Sequence, residues 1–205
     1  MVRIVTQFAV VDRQKCTGCK TCVQICPVTA IKLEEEEGKP RALIDEKYCQ
    51  ACMICMTRCP EIAITMNLRS SPLKIGTEVS QASSGEVAAI CRKAHMYPEQ
   101  IVCYCHRIQA KEVAAAILSG AKTPEQVARM TGARTGCGIL CITAVIRLLR
   151  ATGLEIERAP GYQWYGNTVS IWDLPDEVMQ KYDKEYYLLR DRKDLDEIFP
   201  GGGHQ

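Results

Sequence analysis

Histidine is almost missing from this chain: His95, His106 and His204 are the only three among 205 residues. Histidine is the commonest general acid or base, so a His-based catalytic site is poorly supplied. The phosphate-cradling motifs are missing too. No G-x-G-x-x-G follows a strand and no G-x-x-x-x-G-K-[ST] occurs, so neither a dinucleotide fold nor a P-loop is indicated. No G-x-S-x-G and no H-E-x-x-H is present, which removes the usual signatures of a serine hydrolase and a zinc peptidase. No apolar run approaches the ~20 residues of a membrane-spanning helix. The start, Met1-Val2-Arg3-Ile4, lacks the charged-then-apolar layout of a secretory signal, and a cytoplasmic location is expected. A strong charge of either sign is also lacking, with a formal net charge of +2. Nucleic-acid binding wants a basic face, so it is not expected.

Cysteine is what the chain has in plenty, thirteen in all. The remaining composition is that of an ordinary globular protein, 47% hydrophobic and 24% charged, with room for one or two small domains. Twelve cysteines fall into three sets of four. Cys16, Cys19, Cys22 and Cys26 precede Pro27, and Cys49, Cys52, Cys55 and Cys59 precede Pro60. Both runs read C-x2-C-x2-C-x3-C-P. Cys103, Cys105, Cys137 and Cys141 form the third set, with different spacing, and Cys91 is left over. The odd count, the tight C-x2-C repeats and the absent signal favour thiolates in a reducing compartment over a disulfide scaffold. A zinc site would use the same C-x2-C pairs, but it does not account for two sets of four with trailing prolines.

The first 68 residues contain an internal repeat. Asp12-Arg13-Gln14-Lys15-Cys16 aligns with Asp45-Glu46-Lys47-Tyr48-Cys49, an offset of 33 (49 minus 16). The tails Ala30-Ile31-Lys32-Leu33 and Ala63-Ile64-Thr65-Met66 match as well. Each half reads as a strand, a cysteine loop, one turn of helix and a returning strand, and Glu34 to Glu37 with Gly38 reads as a charged turn between them. On these cysteines and prolines, residues 1–68 resemble the bacterial ferredoxins that carry two [4Fe–4S] clusters, in which the fourth cysteine of each run ligates the other cluster. The resemblance implies one cluster on Cys16, Cys19, Cys22 and Cys59, and a second on Cys49, Cys52, Cys55 and Cys26. One departure stands out. Freestanding ferredoxins of this kind are usually strongly acidic, whereas residues 1–68 hold nine Lys/Arg and eight Asp/Glu. That favours a module held in a complex over a diffusing carrier.

In the third set, Cys103-Tyr104-Cys105 and Cys137-Gly138-Ile139-Leu140-Cys141 bracket 31 residues (106 to 136). With Glu112-Val113, Gly120-Ala121, Glu125-Gln126-Val127 and Thr135-Gly136-Cys137-Gly138, residues 101–153 resemble the bacterioferritin-associated-ferredoxin-like [2Fe–2S] domain. The resemblance implies a [2Fe–2S] cluster on Cys103, Cys105, Cys137 and Cys141. The second pair is often C-x2-C in that family and is C-x3-C here. Cys91 reads as core, and His106 as a polar neighbour of Cys105 rather than a ligand.

Between these units, residues 69–100 read as a linker with one helix, capped at Ser83 and carrying Val87, Ile90, Cys91 and Ala94 on one face. In 101–153, Ala110 to Ser119 reads as a helix stopped by Gly120. Thr123 with Pro124 and Gln126 marks the start of the next, and Ile139 to Ala151 is an apolar helix ended by Gly153. Residues 154–205 form a C-terminal extension. Tyr162, Trp164, Tyr165 and Trp172 suggest a hairpin, Asp173 a cap for a helix from about Pro175 to Leu189, and 201–205 a disordered tail. The fold class expected is α+β: a two-cluster ferredoxin fold, then a small all-α, helix-turn-helix-like domain with a hairpin/helix extension.

The function expected is electron transfer, in an iron–sulfur subunit with no substrate site of its own. Its relatives by resemblance accompany flavin-dependent dehydrogenases and NAD(P)H-linked reductases. A flavoprotein dehydrogenase or reductase partner, with the flavin on that subunit, is therefore expected, together with an acceptor such as ferredoxin or another carrier. The segment 162–187 would serve as a docking arm, or as a cap over the [2Fe–2S] domain. A freestanding carrier is the alternative. An iron or redox sensor is a further one, although the helix from Ile139 offers only Arg147 and Arg150 as a basic face.

Overall fold

The computed structural model describes residues 2–156 and 169–199. The hairpin expected around Tyr162, Trp164 and Tyr165 and the tail 201–205 lie outside them. In the N-terminal half, β1 (Arg3–Val11) pairs antiparallel with β4 (Ile64–Ile75), and β2 (Ile31–Glu36) pairs with β3 (Lys39–Ile44). Two short helices, α1 (Thr21–Ile25) and α2 (Ile54–Arg58), follow the cysteine loops.

The internal repeat is a physical pseudo-symmetry. The Asp12 amide donates to Ala63 O and the Asp45 amide to Ala30 O, both at 2.7 Å. Shifting every number by 33 turns one contact into the other. The same shift carries Gly18 (φ 71°) onto Ala51 (φ 53°), Lys20 onto Met53 and Thr29 onto Ile62, all left-handed. Both halves therefore bend at the same places around their cysteines.

Two sequence expectations change here. The Glu run is mostly strand: Glu34 opposes Arg41 and Glu36 opposes Lys39, and the turn is only Glu37-Gly38, both at positive φ. A two-residue turn of that handedness suits the twist of a hairpin. The Glu34 and Glu36 carboxylates pair with Arg13 at 3.8 and 2.9 Å, and Glu34 also with Lys32 at 2.9 Å. The expected linker also begins as strand, since β4 continues to Ile75. Val5 opposes Leu73 and Gln7 opposes Leu68, so Ser70-Ser71-Pro72 ride in a bulge. A bulge in a two-stranded ribbon tolerates a proline that cannot donate.

The C-terminal half is helical around a hairpin of β5 (Ile101–Cys103) and β6 (Ile108–Gln109). Its central helix α4 (Ala110–Leu118) is fully buried at Ala110, Val113, Ala114, Ala115 and Ala116. Small side chains there let α3 (Ser84–Lys93), α5 (Pro124–Thr131) and α6 (Ile142–Arg150) pack closely. The α3 face of Val87, Ile90 and Cys91 is built into this core, so the helix expected in a linker is part of the helical unit. Ser83 Oγ accepts from the Glu86 amide and Thr123 Oγ1 from the Gln126 amide, as the cap residues predict. The last helix of this unit starts at Ile142 rather than Ile139, because Cys141 stands at its N-cap.

In the extension, Asp173 does not cap the following helix. Its carboxylate accepts from the Ser170 amide and hydroxyl, closing a 3-10 turn at Ile171–Asp173. One expected helix is two: α7 (Asp176–Tyr186) and α8 (Leu188–Ile198), broken at Tyr187 with φ 54°. The Asp183 carboxylate accepts from the Leu189 amide and holds that break. Trp172 stacks on His95 with ring centroids 3.8 Å apart, and its Nε1 donates to Asp196. Tyr97 donates to Ile198 O at 2.7 Å. Residues 169–199 thus close over the α3 end of the helical unit. Tyr186 and Tyr187 stay exposed.

The two halves meet along α5. Gln50 Nε2 donates to Ala128 O and Arg129 O, and Arg129 donates to Val28 O at 2.7 Å with its guanidinium over the Tyr48 ring. Ala128 is wholly buried in the core of the N-terminal half.

Candidate metal centres

The repeat places eight cysteines around two cavities. One is lined by Cys16, Cys19, Cys22 and Cys59, with Val11, Leu33, Ala42 and Ile64 as apolar wall. The other is lined by Cys26, Cys49, Cys52 and Cys55, with Ala9, Val28, Ile31 and Ile44. They hold about 360 and 350 Å³ of empty space, mouths included. Each takes three cysteines from one half and one from the other. The helical turns α1 and α2 return the chain so that Cys26 and Cys59 reach across.

Backbone amides point at the sulfurs in the same pseudo-symmetric pattern. Ala30 N donates to Cys26 Sγ and Ala63 N to Cys59 Sγ, both at 3.3 Å. Ala9 N donates to Cys49 Sγ at 3.3 Å and Ala42 N to Cys16 Sγ at 3.5 Å. Such donors stabilise thiolate and tune a bound centre. Burial works against them. It pushes the Cys22 and Cys52 thiols up to about 11 and Cys55 up to about 12, and raises Cys26. At Cys19 the Thr21 hydroxyl and amide lower the pKa. Buried thiols of this kind lose their protons to a metal outright.

Cys103 ends β5, Cys105 lies in the hairpin loop, Cys137 in the turn after α5, and Cys141 caps α6. The structure gathers them in two close pairs. Cys137 N donates to Cys105 Sγ at 3.3 Å, and the Cys141 thiol donates to Cys103, lowering Cys103 and raising Cys141. Amides of His106 and Arg134 support Cys103, and those of Ile139 and Leu140 lower Cys137. Cys105 and Cys137 are exposed, while Cys103 and Cys141 are buried. Between Cys137 and Cys141, Gly138 is left-handed at φ 79°, and a Cβ built on it would lie 3.5 Å from Ile54 Cδ1 of α2.

The turn 132–135 is anchored by a buried pair, Arg134 to Glu125 at 2.8 Å. His106 Nε2 lies 3.1 Å from Thr135 Oγ1 and 3.0 Å from Arg3. It bridges the two halves beside Cys105. Cys91 is completely buried in the helical core, as expected of a core thiol. Among the described residues, no three His, Cys, Asp or Glu side chains close on a single ion. A tetrahedral zinc site needs thiolates within ~2.3 Å of one metal. Four all-thiolate donors spread around an apolar, amide-lined cavity fit a larger inorganic core instead.

Arg3, Gln50 and Arg129 are the site-related residues that sequence reasoning missed. Each acts across at least 47 positions, and no local pattern marks such a contact.

Comparison with known families agrees with this geometry. Residues 15–63 match the model of a 4Fe-4S dicluster domain, and residues 101–151 match that of a BFD-like [2Fe-2S] binding domain. No curated protein matches the chain. The chain joins two iron–sulfur domains in one α+β polypeptide, and these domains imply an electron-transfer role. No helix among the described residues is long and apolar enough to cross a membrane.

Proposed function

We propose that this chain is the iron–sulfur subunit of a multisubunit oxidoreductase, relaying electrons between a flavin-containing dehydrogenase or reductase partner and an acceptor. The observation that carries the reading is the pair of four-cysteine cavities, with the third four-cysteine set packed against the second. Cys16, Cys19, Cys22 and Cys59 hold one [4Fe–4S] cluster, and Cys49, Cys52, Cys55 and Cys26 hold another. Cys103, Cys105, Cys137 and Cys141 hold a [2Fe–2S] cluster. When bound, each cluster accepts and returns single electrons.

The protein's part is to hold, insulate and order these centres. Apolar walls line the two N-terminal sets, with Cys19 left exposed at the first, and the amides of Ala9, Ala30, Ala42 and Ala63 support negative sulfur. The first set interlocks with the second through Cys26 and Cys59. The second approaches the third where Ile54 meets Gly138. Cys105 and Cys137 reach the surface beside exposed Tyr104, Ile139 and Leu140, a place for electrons to enter or leave. Aromatic and aliphatic side chains in such positions are favoured contact anchors. The near-balanced charge of residues 1–68 supports a held module.

A DNA-binding sensor finds little support. Arg147 donates to Ala94 O at 2.6 Å and lies over Trp172, so it is withdrawn from a recognition face.

The test is anaerobic purification from the native host through a tag on this chain, with iron, sulfide and flavin quantified. Roughly ten irons per chain (4 + 4 + 2) with stoichiometric flavin on copurified subunits is the expected result. Ten irons with this chain alone would mean a freestanding carrier. About eight would remove the [2Fe–2S] assignment.

A further inference from the structure

One cation stands where the second and third cysteine sets meet. Arg3 opens β1, and its half-buried guanidinium bonds in both directions. One terminal nitrogen donates to Gln50 Oε1 at 2.9 Å and to Gln50 O at 3.4 Å, two residues before Cys52. The other bonds His106 Nε2 at 3.0 Å, next to Cys105. Guanidinium has only donors, so that nitrogen of His106 accepts. Gly132 packs on the same group, its Cβ direction 3.7 Å from Arg3 Nε. Burial lowers the Arg3 pKa, while Cys52 and Cys103 thiolates raise it. The geometry sets this charge against the Gln50 backbone, between Cys49 and Cys52 in the chain, and in one cleft with Cys105 and His106. A guanidinium does not deprotonate in proteins, so the charge is permanent.

We propose that Arg3 sets the potentials at both neighbouring sites, by placing one fixed positive charge between the Gln50 stretch that carries Cys49 and Cys52 of the second [4Fe–4S] set and Cys105 of the [2Fe–2S] set. The inference rests on the ligand reading above. A cation favours the form carrying one more electron, and net charge near the sulfurs is a principal determinant of potential. Because one residue faces both sets, it raises both potentials together and leaves the difference between them little changed. Uncharged side chains at this position would supply the packing without this effect.

The experiment is an EPR-monitored redox titration of the full chain, reconstituted anaerobically, as wild type, Arg3→Gln, Arg3→Lys and Gln50→Glu. Iron content and spin integration accompany each titration. In Arg3→Gln the [2Fe–2S] potential and one of the two [4Fe–4S] potentials fall by at least a tenfold change in the reduction equilibrium, about 59 mV for one electron. The other [4Fe–4S] potential serves as reference. Gln50→Glu sets a carboxylate on Arg3 while giving up the Gln50 bonds to Ala128 O and Arg129 O, and shifts the same two potentials downward. That variant carries the test if Arg3→Gln does not take up iron. Arg3→Lys keeps the charge and stays near wild type. Full cluster content with unmoved potentials in Arg3→Gln and Gln50→Glu would overturn the role of Arg3. So would a fall in Arg3→Lys equal to that in Arg3→Gln, since a lost hydrogen-bond fork would then explain both. A wild-type chain without a [2Fe–2S] signal would overturn the ligand reading itself, and the Arg3 proposal with it.

Discussion

Gly136 lies directly against Cys105: a Cβ built on Gly136 would stand 2.4 Å from Cys105 Cβ and 2.9 Å from its Sγ. Neither atom is the free end of a flexible chain, so no side chain fits without moving a proposed ligand. Gly136→Ala is expected to lose the [2Fe–2S] cluster while keeping both [4Fe–4S] clusters. Iron should fall from about ten to about eight per chain. Iron analysis with EPR of the reduced protein checks this, and a full complement in the variant would contradict it.

Gly18 is the counterpart in the first cysteine loop. It sits at φ 71°, and a Cβ there would lie 2.4 Å from Pro40 O. Its pseudo-symmetric mate is Ala51, also left-handed, which carries a Cβ. The two halves should therefore respond differently. Gly18→Ala costs roughly 1–3 kcal/mol in strain and loosens the first set. Ala51→Gly leaves cluster content unchanged. Anaerobic thermal melts of the two variants side by side are the check.

Burial of the Arg134–Glu125 pair, with both side chains about 5% exposed, makes each partner depend on the other. Glu125→Gln should destabilise the helical unit by about 3 kcal/mol, because it leaves a buried guanidinium without its counter-charge. The replacement of both residues by apolar ones of similar volume should cost less than the single change. Melting temperatures of the wild type and these two variants decide this, and a larger loss in the double replacement than in Glu125→Gln would refute the pairing argument.

Cys91 gives a pH prediction. Burial pushes its thiol up to about 11, with Glu99 adding to the effect. A folded-state pKa raised above that of the unfolded chain contributes stability in full below the unfolded value, near ~8.5. The contribution is lost as pH rises toward 11. Cys91→Val should therefore flatten the alkaline loss of stability between those limits. The native holoprotein should also resist alkylation at this thiol near pH 8, and denaturation should expose it. Mass spectrometry after alkylation in each state gives the answer.

Much of the site was readable in the sequence because the cysteines are local and repeated. C-x2-C-x2-C fixes three sulfurs in one loop, and the offset of 33 foretold a pseudo-symmetric pair. Caps at Ser83 and Thr123 were legible for the same reason, since they act over three residues. What escaped was decided at long range. Ser70-Ser71-Pro72 has turn chemistry, yet pairing with β1 draws it into a strand. Tyr187 breaks the last helical stretch with neither Gly nor Pro, held instead by the Asp183 carboxylate. Arg3, Gln50 and Arg129 look like ordinary polar residues until α5 is docked against them. The C-x3-C loop contains Gly138, which is left-handed at φ 79°.

The crossing of Cys26 and Cys59 between the two cavities has a consequence for biosynthesis. A nascent chain ending before Cys49 holds only three sulfurs of one set and one of the other. The second set gains its last member at Cys55 and the first at Cys59, four residues later. Neither vessel is closed until nearly the whole ferredoxin half has left the ribosome, and then both close almost together. With the proposed ligand sets, iron delivery to this half would be a single late event, and damage to either loop would deprive both centres at once.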